Sequence, residues 1–74
     1  MQDYVIEVNR IEELQNTSNT DELDKIFSKA KSAIVNGALV ILTRKSFKGS
    51  VERFDEFSTL ADLNAYKQSV FKYL

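Results

Sequence analysis

Ala38-Leu39-Val40-Ile41-Leu42 is the longest unbroken apolar run in the chain, and it follows directly on Asn36-Gly37. A strand that is apolar at consecutive positions turns hydrophobic side chains to both faces of its sheet, and each face then needs cover. The chain has 74 residues with which to supply it. That length makes a single domain, residues 1–74, burying roughly 60% of the surface its unfolded chain exposes. Either helices lie on both sides of the run, or one side is left to a second molecule.

The surrounding sequence narrows the chemistry. With 43% hydrophobic and 28% charged residues, the composition is globular. Cysteine is absent, which removes disulfides, zinc–thiolate sites and thiol nucleophiles; histidine is absent, which removes the usual general base and the commonest transition-metal ligand. No cofactor or metal is expected. The longest apolar stretch is five residues, against about 20 for a membrane-spanning helix. Met1-Gln2-Asp3 runs into Tyr4-Val5-Ile6 without a charged-then-apolar leader. The expectation is a soluble, cytoplasmic protein with no membrane partner.

Periodicity divides the chain into six elements. Tyr4-Val5-Ile6-Glu7-Val8 alternates as a strand, with Tyr4, Ile6 and Val8 on one face and Val5 and Glu7 on the other. Asn9, with Glu12 three residues on, reads as the cap of a short helix carrying Ile11 and Leu14. After the polar loop Asn16-Thr17-Ser18-Asn19, a long helix is predicted from Thr20 to Asn36, capped by Asn19 or Thr20. Its stripe is Leu23, Ile26, Phe27, Ala30, Ala33 and Ile34, and Gly37 ends it. Residues 38–43 form the apolar strand. Val51, Phe54 and Phe57 are spaced by three, which fits a helical turn, although a bulged antiparallel strand returning from Gly49 is the first choice. Thr59 and Asp62 cap a last helix from Leu60, with Leu60, Leu63, Tyr66, Val70 and Leu74 in its stripe. The class is α+β: a small sheet of about three strands with two main helices, in the order β-(short α)-α-β-β-α.

Without histidine and cysteine, acid–base chemistry would fall to Glu12-Glu13, Glu22 with Asp24, or Asp55-Glu56. Adjacent residues on a helix or strand point in different directions and share no proton site. Glu22 and Asp24 sit in the first turn of the long helix, where the dipole accounts for them. A nucleophile pair of Ser28 with Lys31 or Lys25 would need a desolvated lysine, and these lysines lie on the polar face. No enzyme is expected.

The charges are polarised. Residues 1–24 carry seven acids against Arg10, a balance of −6, and residues 25–53 carry seven bases against Glu52, a balance of +6. Arg44, Lys45, Lys48 and Arg53 lie within ten residues, with Phe47 among them. Cations meet phosphate oxygens and an aromatic ring stacks on a base, so this turn suits single-stranded nucleic acid or an acidic partner. The competing reading is a solvated hairpin tip whose Phe47 folds back onto the core.

Gly37-Ala-Leu-Val-Ile-Leu-Thr-Arg44, Gly49, a returning segment and Ser58-Thr-Leu-Ala-Asp-Leu-Asn-Ala-Tyr66 together resemble the hairpin and helix of Phd/YefM-type antitoxins. The preceding order of strand, short helix and longer helix is also similar. The resemblance implies a DNA-binding dimer whose early helix and nearby basic residues touch DNA, which here means Arg10.

The last candidate is an association surface. Leu39 and Ile41 lie opposite the Ala38-Val40-Leu42 face, and Phe71, Tyr73 and Leu74 widen the stripe of the last helix. If both main helices cover one face of the sheet, the other is an apolar patch and a homodimer is its commonest solution; one helix on each face would instead give a monomer. The function expected is a non-enzymatic protein-interaction module with an unidentified protein partner. The alternative is a nucleic-acid-binding regulator using residues 44–53.

Overall fold

The computed structural model describes residues 3–74. In chain order it contains β1 (Tyr4–Glu7), α1 (Val8–Asn16), α2 (Thr20–Val35), β2 (Val40–Lys45), β3 (Val51–Phe57) and α3 (Leu60–Lys72). The three strands form one mixed sheet in the order β1-β2-β3, with β1 parallel and β3 antiparallel to β2. The α+β class and the element order are those expected from the sequence.

The strand-to-helix junction at the start differs from the expectation. The chain passes from β1 into α1 with no loop, and Glu7, not Asn9, is the N-cap, without a side-chain cap bond. Val8 therefore opens the helix, where it is still buried. Asn9 serves the sheet instead: its Nδ2 donates to the Lys45 carbonyl at 3.1 Å and its Oδ1 accepts from the Lys45 amide at 2.9 Å. The side-chain amide thus occupies both the amide and the carbonyl of Lys45, which lie beyond the end of β1 and which a parallel strand would have filled from two separate residues. At the other end of the same ladder, Leu39 donates its amide to Asp3 Oδ1 at 3.0 Å. Two side chains close a four-residue strand that is short of backbone partners.

The first two helices end in the same way. At the end of α2, Gly37 donates to the Ile34 carbonyl and Ala38 to the Ala33 carbonyl, with Gly37 at φ 87°. At the end of α1, Ser18 donates to Gln15 and Asn19 to Leu14, with Ser18 at φ 52°. Each is a Schellman closure that needs a left-handed residue. The first has a glycine there and the second a serine. Asn19 then caps α2 by accepting from the Glu22 amide at 3.3 Å, and Thr59 caps α3 by accepting from the Asp62 amide at 3.2 Å.

The core joins Ile6, Val40, Leu42 and Phe57 of the sheet to the buried residues of all three helices. Phe27 of α2, Tyr66 of α3 and Phe57 of β3 stack with ring centres 5.8 and 5.6 Å apart, pinning the two main helices to the sheet. Gln15 adds a bond from α1 to the Val70 carbonyl of α3 at 3.0 Å. Ile41 is buried yet stands outside this cluster, on the other face of β2. The shortest dimension of the molecule is 17 Å, room for a sheet and one layer of helices about 10 Å thick, not for helices on both sides. All three helices share one face.

Candidate interaction surface

The uncovered face is set by the strand alternation around Ile6, Val40 and Leu42, which point to the helices. Its first rung is Val5, Ile41 and Glu56, and its second is Glu7, Thr43 and Arg53. Lys45 and Val51 form a third. Ile41 and Thr43 sit in the middle, each 8% exposed, flanked in their rungs by Val5 and Glu56 and by Glu7 and Arg53. Val5 and Val51 toward the margins are more than half exposed.

A β-bulge decides which residues of β3 belong to this face. Leu42 pairs with Asp55 but Thr43 pairs with Arg53, leaving Phe54 as the extra residue. In a regular strand Arg53 and Glu56, three apart, would point to opposite faces. The inserted residue reverses the alternation, so both lie on the open face and form an ion pair. It also carries Val51 to the open face and turns Glu52 toward the helices' side. The bulged strand expected from the sequence is therefore present, and no helical turn forms over 51–57. Phe54 itself is 54% exposed on an edge strand.

The face is apolar in the middle and carries both signs of charge at its margins: Glu7 and Glu56 against Lys45 and Arg53. Among the described residues Glu7 has no ion-pair partner, whereas Arg53 has one in its own chain. Of the association residues named from the sequence, Leu39 and Ile41 lie here. Phe71, Tyr73 and Leu74 belong to the helical layer at the end of α3. Phe71 packs on Phe27 at 6.1 Å with Lys67 over its ring, while Tyr73 and Leu74 are exposed. The two groups do not make one surface.

The basic turn is less available than its sequence suggests. Arg44 points to the helical side and meets Glu12 of α1 at 2.9 Å. Arg53 is held by Glu56 on the other face. That leaves Lys45, Phe47 and Lys48 together at the hairpin tip, which is closed by Gly49 donating to the Ser46 carbonyl at 3.0 Å. Phe47 does not fold back onto the core; it is fully exposed. Arg10, the residue the antitoxin likeness implicates, lies on α1 beside Glu13 at 3.7 Å.

The acidic pairs do not converge on a common point. Glu12, Glu13 and Glu22 each face a different cation, and Asp55 accepts from the Glu56 amide at 2.8 Å. Among the described residues no three His, Cys, Asp or Glu side chains gather as a metal site would require. Ser28 and Lys31 line an open groove of about 320 Å³ between α2 and α3, with Lys67 across it. Burial pushes the Tyr66 hydroxyl above its ordinary value of 10.0, with Glu12 adding to the rise and Arg44 opposing it. No helix of the described residues is long and apolar enough to cross a membrane.

Val5 and Glu7 can be assigned to this face from alternation alone. Val51 and Arg53 cannot, because the bulge that places them leaves no signal beyond the irregular spacing of Val51, Phe54 and Phe57. Comparison with family models, with curated proteins and with solved structures gives no match.

Proposed function

We propose that this chain is a non-enzymatic protein-interaction module that binds through the uncovered face of its sheet. The observation that carries the reading is the placement of all three helices on one side of a strand that is apolar on both. The open face has an apolar centre and a margin of Glu7, Glu56, Lys45 and Arg53, equal in the two signs. A polyanion would meet two carboxylates there, so the partner that fits is a flat protein surface with an apolar middle and charges of both signs. Binding rather than turnover also accords with a chain that has neither histidine nor cysteine.

The nucleic-acid reading draws support from the exposed Phe47 between Lys45 and Lys48. It is the weaker reading, since Arg44 and Arg53 each stand beside a carboxylate that offsets their charge toward a polyanion. A photo-crosslinking residue separates the two. Placed at Val51 on the open face, it is expected to yield a protein adduct that Val5→Asp diminishes; placed at Lys29 on the exposed side of α2, it is expected to yield none. Equal labelling at both positions, adducts with nucleic acid alone, or no adduct at position 51 would overturn the proposal.

A further inference from the structure

Resting on that reading, we infer that the surface which fits the open face is the same face of a second copy, related by a two-fold axis parallel to β2. Glu7, Thr43 and Arg53 occupy one rung, with Glu7 on β1, Thr43 on the central strand and Arg53 on β3. A two-fold axis along β2 lays β2 on β2 and places β1 of each copy over β3 of the other. Each Glu7 then stands opposite Arg53 of the second copy, and the operation makes the pair twice. Ile41 meets Ile41 and Thr43 meets Thr43 at the axis, Lys45 meets Lys45 at its solvent-exposed end where water and salt screen the like charges, and Val5 of each copy lies over Glu56 of the other.

Packed sheets lie about 10 Å apart with strand directions nearly aligned, a gap that a glutamate and an arginine reaching from opposite sides span. The other in-plane two-fold, perpendicular to the strands, fits less well. Centred on Leu42, it sets Ile41 on Thr43 and Arg53 on Glu56 of the second copy, a pair that each chain already makes within itself, and it leaves Glu7 above Val5 with no cation. Only the axis along β2 gives a partner to the one acidic residue of this face that, among the described residues, lacks one in its own chain. The pairing also matches how symmetric dimers form, since a two-fold interface must be complementary to itself.

The face is small. Three strands of about six residues mark a footprint of roughly 14 by 20 Å, about 300 Å² per copy, below the roughly 800 Å² per partner of a standard interface. The dimer is therefore weak, a monomer near ~10 µM and substantially associated near ~1 mM.

Sedimentation equilibrium across that range on the full chain, with charge reversals, tests it. Glu7→Arg and Arg53→Glu each set like charges against one another and are expected to weaken association about tenfold. The double reversal rebuilds both pairs and is expected to return association to within about threefold of the original. Loss of fold or loss of the Arg53–Glu56 bond cannot produce that rescue, because Glu7→Arg repairs neither. A dimer indifferent to the single reversals, or not rescued by the double, overturns the proposed geometry. A monomer at ~1 mM overturns the second copy as occupant. If position 51 still yields an adduct with a different protein, the docking face survives that result; if it yields none, both readings fall together.

Discussion

Ser18 and Gly37 occupy equivalent left-handed positions, one before and one after α2, and exchanging their residue types should move stability in opposite directions. A non-glycine residue in this conformation costs about 1–2 kcal/mol, because its Cβ crowds the following carbonyl. Replacing glycine by alanine returns about 0.4–1 kcal/mol by restricting the unfolded chain. At Gly37, φ is 87° and an added Cβ would meet nothing within 4 Å, so Gly37→Ala carries the backbone penalty and no clash. The net cost is about 1 kcal/mol. Ser18→Gly reverses both effects and should gain a similar amount, since among the described residues the serine side chain makes no hydrogen bond that glycine would lose. The sites flank a 16-residue helix, about 24 Å long, so the double variant should be additive and lie near the original. Urea unfolding reads this as shifts of midpoint at constant slope, and each kcal/mol moves Tm by about 4–8 °C in a domain this size. If Ser18→Gly destabilises while Gly37→Ala also does, the strain assigned to Ser18 is refuted.

Asn9→Ala removes both bonds to Lys45 and should cost about 1 kcal/mol, while Asn9→Asp, which keeps the acceptor, should cost about half as much. Amide exchange at Lys45 should quicken in the alanine variant and less so in the aspartate variant; unchanged protection in both would rule out the side-chain ladder. Leu23 is fully buried between the helices and the sheet, so Leu23→Ala should lose about 2–5 kcal/mol of a total near ~4–11 kcal/mol for this length. A midpoint shift below that of Ser18→Gly would contradict its place in the core. The raised value of Tyr66 means that the folded state favours the neutral phenol. Its stabilising contribution is present below the unfolded value near ~10 and is lost as pH rises through the folded one. Tyr66→Phe should therefore flatten the fall in Tm above pH ~10; Tyr4, also raised by burial, leaves part of the slope. Identical Tm profiles for the two proteins would refute the assignment.

Elements bounded by their own residues are legible in the sequence. Leu23, Phe27, Ala30 and Ala33 recur at helical spacing, Asn19 and Thr59 cap where their side chains suggest, and Gly37 ends α2 because glycine takes the left-handed conformation at no steric cost. The same closure at Ser18 reads as an ordinary polar loop, since serine does not announce positive φ. Asn9 reads as a cap because Glu12 follows at the right interval. Its actual partner is Lys45, 36 residues away, and no local rule points that far. Likewise Arg44 and Phe47 are neighbours in a basic turn by sequence, but one is drawn to Glu12 and the other left in solvent.

What the sequence determined by itself is the set of elements, their order and the two-sided apolar character of β2. Those follow from side-chain periodicity and from capping, interactions that close within a few residues. Tertiary structure alone decided that all three helices take the same face, because the choice depends on how Phe27, Tyr66 and Phe57 pack together across the fold. It also decided, through one extra residue at Phe54, which charges of β3 stand beside Ile41. A strand's faces are fixed only by its register with a neighbour, and that register is a long-range property of the folded chain.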